Sequence, residues 1–75
     1  MKTINGNKPV YDLIQEHPEL REILIDLGFE PLANDMMLNT AGRMMHLNGG
    51  AKRIKLDHDD LVKGLKEAGY RLEEE

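Results

Sequence analysis

The chain has no cysteine, no serine and no tryptophan, and its aromatic residues number only three, Tyr11, Phe29 and Tyr70. Without cysteine there is no disulfide, no thiolate nucleophile and no cysteine-held zinc or iron–sulfur cluster. Without serine, Thr3 and Thr40 are the only hydroxyl nucleophiles besides the tyrosines, and neither stands in a recognisable nucleophile–base pattern. No window approaches the roughly 20 apolar residues of a membrane-spanning helix. The N-terminal residues 1–7 lack the apolar run of a secretory signal. From these absences we expect a soluble cytoplasmic protein that is not an enzyme and holds no cofactor or metal.

What is present suits one small domain, residues 1–75. A chain this short buries only about 60% of the surface it exposes when unfolded, so packing must be economical. At 40% hydrophobic and 32% charged residues, it is too apolar for a disordered segment. The three prolines and seven glycines then act as punctuation.

The clearest element follows His17-Pro18. Leu20, Ile23, Leu24 and Leu27 recur at i, i+3, i+4 and i+7 and share one helix face. Pro18 suits the first helical position, and His17 is placed to cap it. Gly28 supplies a left-handed stop, with Phe29 folding back and Pro31 preventing continuation. Upstream, a shorter helix starts at Pro9, with Val10, Leu13 and Ile14 on its buried side. Downstream, a third helix spans residues 32–42, capped by Asn34 or Asp35 and stopped by Gly42, and residues 43–46 form an extended connector. Residues 47–54 read as a fourth helix weakened by Gly49-Gly50, with a turn as the alternative. Asp57 caps a fifth helix, with Asp60 at its third position and Leu56 stapled onto Leu61. Leu61, Val62, Leu65 and Ala68 form its buried face, and Gly69 ends it. Tyr70, Arg71 and Leu72 are placed as an extended segment against Ile4, after an extended lead-in over 1–8. Glu73, Glu74 and Glu75 are expected to fray into solvent. The fold class is therefore all-α, a small orthogonal bundle of four to five short helices with a minor extended pairing of the termini. Its core takes the apolar faces together with Phe29, Leu32, Met37 and Leu38.

Several segments, taken in order, carry a family resemblance. They are Val10-Tyr11-Asp12-Leu13, His17-Pro18-Glu19-Leu20, Leu27-Gly28-Phe29, Pro31-Leu32-Ala33-Asn34, Asn39-Thr40-Ala41-Gly42-Arg43, and Leu56-Asp57 followed by Leu61. Over residues 3–69 the chain resembles a small bacterial family, domain-of-unknown-function family 1858. The resemblance implies a small all-helical fold, often found beside sensory or metal-binding domains, and no established activity. Many relatives carry a cysteine pair just after the position of Gly28, which implies redox or cluster-related roles. Here that place holds residues 29–34 without cysteine, so no redox role transfers. Asn48-Gly49-Gly50 also departs from the family pattern, which has good helix formers there.

Two surface patches stand out beside an unconvincing metal cluster. Asp57, His58, Asp59 and Asp60 are consecutive at a helix start, so they point around the axis, and capping explains the acids. The segment from Arg43 to Lys55 carries Arg43, Lys52, Arg53 and Lys55 with no acid, whereas residues 12–30 carry six acids against Arg21 alone. This basic segment is a candidate anion patch, Arg43, Lys52, Arg53 and Lys55, with the Gly49-Gly50 amides available to a phosphate. The net charge of −4 and the scarcity of aromatics argue against nucleic acid as its partner. The other patch draws on the pairs Met36-Met37 and Met44-Met45, because methionine is flexible and frequent at adaptable binding surfaces. Ile25, Met36 and Met45 are the candidate patch for another protein or domain, or for a second copy of the chain. The leading expectation is thus a non-catalytic interaction or self-association module. The alternatives are anion or nucleic-acid binding, and a cysteine-less redox- or sensory-associated scaffold or small-ligand domain.

Overall fold

Short helices follow one another wherever proline and glycine allow, in a computed structural model that describes residues 1–73. The order is strand β1 (Lys2–Asn5), α1 (Val10–Glu16), α2 (Leu20–Leu27), a 3-10 turn (Glu30–Ala33), α3 (Asp35–Met44), α4 (Leu47–Arg53), α5 (His58–Glu67) and strand β2 (Tyr70–Glu73). The two strands pair in parallel, with Lys2 opposite Tyr70 and Ile4 opposite Leu72. A parallel pair needs a long crossover. Here all five helices serve as that crossover, so the pairing closes the ends of the chain onto each other. Ile4 and Tyr70 both point inward and are buried.

One cluster of buried side chains joins every element. Val10, Leu13 and Ile14 come from α1, Leu20 and Leu24 from α2, Leu38 from α3, Leu47 and Ala51 from α4, and Leu61 and Leu65 from α5. Phe29 and Leu32 fill the space beneath the α2–α3 link. Each buried leucine of this kind contributes about 1.5–3 kcal/mol relative to its exposed state. Gly28 takes φ +124°, where a Cβ would be strained, and lets the Phe29 N–H return to the Leu24 carbonyl at 2.9 Å. Arg21 then ties α2 to the 3-10 turn, its Nε donating to the Leu32 carbonyl at 2.8 Å and its Nη2 to the Asp35 carboxylate.

The short helices α1 and α4 lack side-chain caps and solve the problem together. Pro9 and His46, the residues preceding them, are both extended and form an isolated antiparallel bridge. The Val10 N–H donates to the Met45 carbonyl at 2.8 Å, and the Leu47 N–H donates to the Lys8 carbonyl at 3.2 Å. The Asn48 N–H finds the Gly6 carbonyl at 3.0 Å. Orphan amides at both helix starts are thereby satisfied by backbone from the other half of the bundle. This explains why residues 47–53 are helical despite two glycines.

Several sequence expectations are corrected. Gly42 does not stop α3; it is buried inside it, and the helix runs on through Met44. A Cβ at Gly42 would sit 3.2 Å from Leu38 Cδ1 and 3.8 Å from Tyr11 Cβ, so the glycine serves the approach of α1 to α3 rather than a turn. Residues 30–33 form a 3-10 turn instead of the start of α3, because Asn34, whose side chain accepts from the Met36 and Met37 amides, sets the start one residue later. His17 does not cap α2: its ring meets the Tyr70 ring edge-on at 5.5 Å, and only its carbonyl reaches the Leu20 amide. Met37 is 41% exposed and stands outside the core. Ala68 is exposed too, being past the last full turn of α5. Glu73 is the last residue of β2 rather than part of a frayed tail, and Glu74 and Glu75 lie outside the described residues.

Candidate functional site

Helix α3 presents two unlike faces, and the sequence explains each. Leu38 and Gly42, four apart, face the core. Met36, Thr40 and Met44 follow the same four-residue spacing on another side, and all three are exposed. Met36 is 74% exposed and Met44 85% exposed. Nothing in the core needs these side chains, since the buried cluster is complete without them. The Thr40 hydroxyl donates back to the Met36 carbonyl at 2.7 Å, so it adds no outward donor to this face.

Arg43 and Arg53 of the basic segment lie at the end of α3, whereas Lys52 lines a separate pocket with Asn48. Arg43, in the last turn of α3, lies with its guanidinium 4.3 Å from the Tyr11 ring centroid and donates to the Tyr11 hydroxyl at 3.3 Å. Lys52 and Arg53 close α4, where cations complement the helix dipole. Lys55 follows at φ +60°. Among the described residues the ion pairs engage Lys2, Lys8 and Arg21, and Lys52, Arg53 and Lys55 have no carboxylate partner.

Between these two sets of residues lies an open cleft of about 290 Å³, lined by Ala41, Met44, Met45 and Arg53. Met45 belongs to the patch expected for a partner, and Arg53 to the patch expected for anions. The structure brings these two together. Met45 is half-buried and packs on the core, forming a floor, while Met44 stands exposed. Of the remaining residues, Ile25 is half-buried on α2, and Met36 sits at the opposite end of α3, about 12 Å from Met44 along the axis. Met44 was left out of the expected patch. Its place two four-residue steps after Met36, on the same face, was the available signal.

A second polar cluster lies where the chain ends meet. The Tyr70 hydroxyl donates to the Glu19 carboxylate, and Lys2 Nζ donates to the same oxygen at 3.1 Å. The tyrosine hydrogen bond, followed by a backbone amide and Lys2, holds the Glu19 carboxyl down at about 2. Burial and that same bond push Tyr70 up to about 12. These groups satisfy one another and fasten both strands to the α1–α2 corner. Elsewhere, Asn48 Oδ1 is buried without a hydrogen-bond partner, beside a pocket of about 260 Å³ lined by Asn7, Asn48, Ala51, Lys52, Leu56 and His58. Asp57 accepts from the Asp59 amide, as expected of a cap. Among the described residues no three His, Cys, Asp or Glu side chains converge on one point, and no helix is long and apolar enough to cross a membrane.

Comparison with known proteins agrees with this architecture. The crystal structure of a conserved domain protein from Streptococcus pneumoniae TIGR4 is similar over 97% of this chain and 92% of that one, with a TM-score of 0.92 and 40% sequence identity. No curated protein matches the chain. The family model described as a domain of unknown function, DUF1858, matches residues 4–62, from the buried Ile4 into α5. The chain belongs to the DUF1858 family, a domain of unknown function.

Proposed function

We propose that this protein is a non-catalytic protein-interaction module whose contact surface is the exposed methionine face of α3, continued into the cleft of Met44, Met45 and Arg53. The observation that carries the reading is Met44, 85% exposed at the rim of a cleft floored by Met45. Leaving apolar surface in water forgoes about 25 cal/mol per Å² of burial. A small domain that seals its core completely and still displays Met36, Met37 and Met44 keeps apolar area available for another molecule. Methionine suits that role because its unbranched thioether adapts to the partner's shape.

Anion binding by Lys52, Arg53 and Lys55 is the second reading, favoured by their lack of carboxylate partners among the described residues. Selection of peptides from an unbiased displayed library on the immobilised protein tests the first reading. Enriched peptides are expected to lose binding to Met44→Gln, a change at a side chain too exposed to affect folding. Enrichment that is indifferent to Met44→Gln, or absent altogether, refutes it.

A further inference from the structure

Charge around the cleft narrows the kind of partner. Residues 36–56 contain four cations and no acid, so every one of the fourteen acidic side chains lies elsewhere in the chain. Arg53 lines the cleft itself, while Lys52 lines the separate pocket beside Asn48 and Lys55 is exposed. All three stand without a carboxylate partner among the described residues. Arg43 is partly spent on Tyr11. An apolar floor and methionine wall thus carry one unpaired cation, Arg53, at the rim.

We propose that the cleft docks an acidic amphipathic helix of a different protein, its apolar residues packing on Met44 and Met45 and its carboxylates meeting Arg53. This inference rests on the interaction reading above and specifies its partner. A helix supplies apolar side chains at i, i+3, i+4 and i+7 with acids alongside, the pattern that a methionine surface with a basic rim complements. Carboxylates there gain partners, while cations would repel. A second copy offering its acidic α2 to this cleft would leave the same two faces open at each end. Such head-to-tail contact builds a ring or an open chain rather than a two-fold dimer. A nucleic-acid strand would place phosphates against methionine and find no tyrosine or phenylalanine ring free to stack on among the described residues, since the Arg43 guanidinium lies over Tyr11 and Phe29 and Tyr70 are buried.

The test uses a library of amphipathic helical peptides with leucine on one face and glutamate or lysine, at equal odds, on the other, selected on the intact protein. Enriched peptides are expected to be acidic, to weaken about tenfold against Arg53→Glu, and to lose affinity as salt rises. They are also expected to lose binding to Met44→Gln. Enrichment of basic or uncharged peptides that still depend on Met44 overturns the acidic partner and leaves the interaction reading standing. A Met44-dependent self-associated species in sedimentation also overturns it, by making a second copy the occupant. Peptides indifferent to Met44→Gln overturn both readings.

Discussion

Replacing Gly49 by alanine is expected to stabilise the protein, whereas the same change at the adjacent Gly50 is expected to destabilise it. Both residues lie inside α4, where glycine costs about 0.5–1 kcal/mol relative to alanine through the freedom it loses on folding. At Gly49 an added Cβ meets no atom within 4 Å, so that gain is realised in full. For a domain of this size it raises the midpoint of thermal unfolding by about 2–8 °C. At Gly50 the added Cβ would lie 2.8 Å from Met45 Sδ, 2.9 Å from Met45 Cγ and 3.0 Å from Phe29 Cε2. The thioether can swing aside, but the Phe29 ring is 1% exposed and has nowhere to go. Overpacking of this kind costs about 1–3 kcal/mol. Set against the helix-propensity gain, it leaves a net loss of about 1 kcal/mol and a midpoint lower by roughly 4–8 °C. Reversible thermal and urea unfolding of the two variants, followed by far-ultraviolet circular dichroism, measures both. A lower midpoint for Gly49→Ala would refute the helical reading of this segment, and a higher one for Gly50→Ala would refute the crowding against Phe29.

Three further outcomes follow from the same structure. Asn34→Ala removes the acceptor of the Met36 and Met37 amides and should lower stability by about 1 kcal/mol in urea unfolding. Met36→Gln and Met44→Gln should each leave stability within about 0.5 kcal/mol of the parent in the same assay, because neither side chain is part of the core. The Glu19 carboxyl is held down from 4.5 to about 2, so its contribution to stability is present above pH 4.5 and is lost as pH falls toward 2. Tyr70 is held up from 10.0 to about 12, so its contribution is present below pH 10.0 and is lost as pH rises toward 12. Tyr70→Phe should flatten both limbs of the stability–pH curve. Limbs unchanged by the substitution would show that other groups govern them.

Local signals were legible where one residue decides the outcome. The stop at Gly28 depends on a single backbone conformation that glycine adopts readily, and Asn34 and Asp57 cap with their own side chains. The pairing of the termini was visible as two short apolar-containing segments, Ile4 and Tyr70 to Leu72, left over once the helices were assigned. Gly42, Gly50 and Gly64 were not legible. Their small size answers to packing: an added Cβ would press on Leu38 at Gly42, on Met45 and Phe29 at Gly50 and on Leu27 at Gly64, and Phe29 and Leu27 lie far along the sequence from the glycines they crowd. A glycine needed for close packing reads in sequence like one needed for a turn.

The candidate site divides along the same line. Sequence alone determined that methionines cluster around residues 36–45 and that residues 36–56 carry positive charge without acids, since composition and spacing need no fold. Tertiary structure alone decided that Met45 is floor and Met44 is rim, and that Arg53 lines their cleft. The reason is the shared start of α1 and α4: backbone amides bonded across 35 residues of sequence, from Val10 to Met45, set how α4 follows α3. Hydrogen bonds of that range depend on the whole chain having collapsed, and no local pattern of residues encodes them.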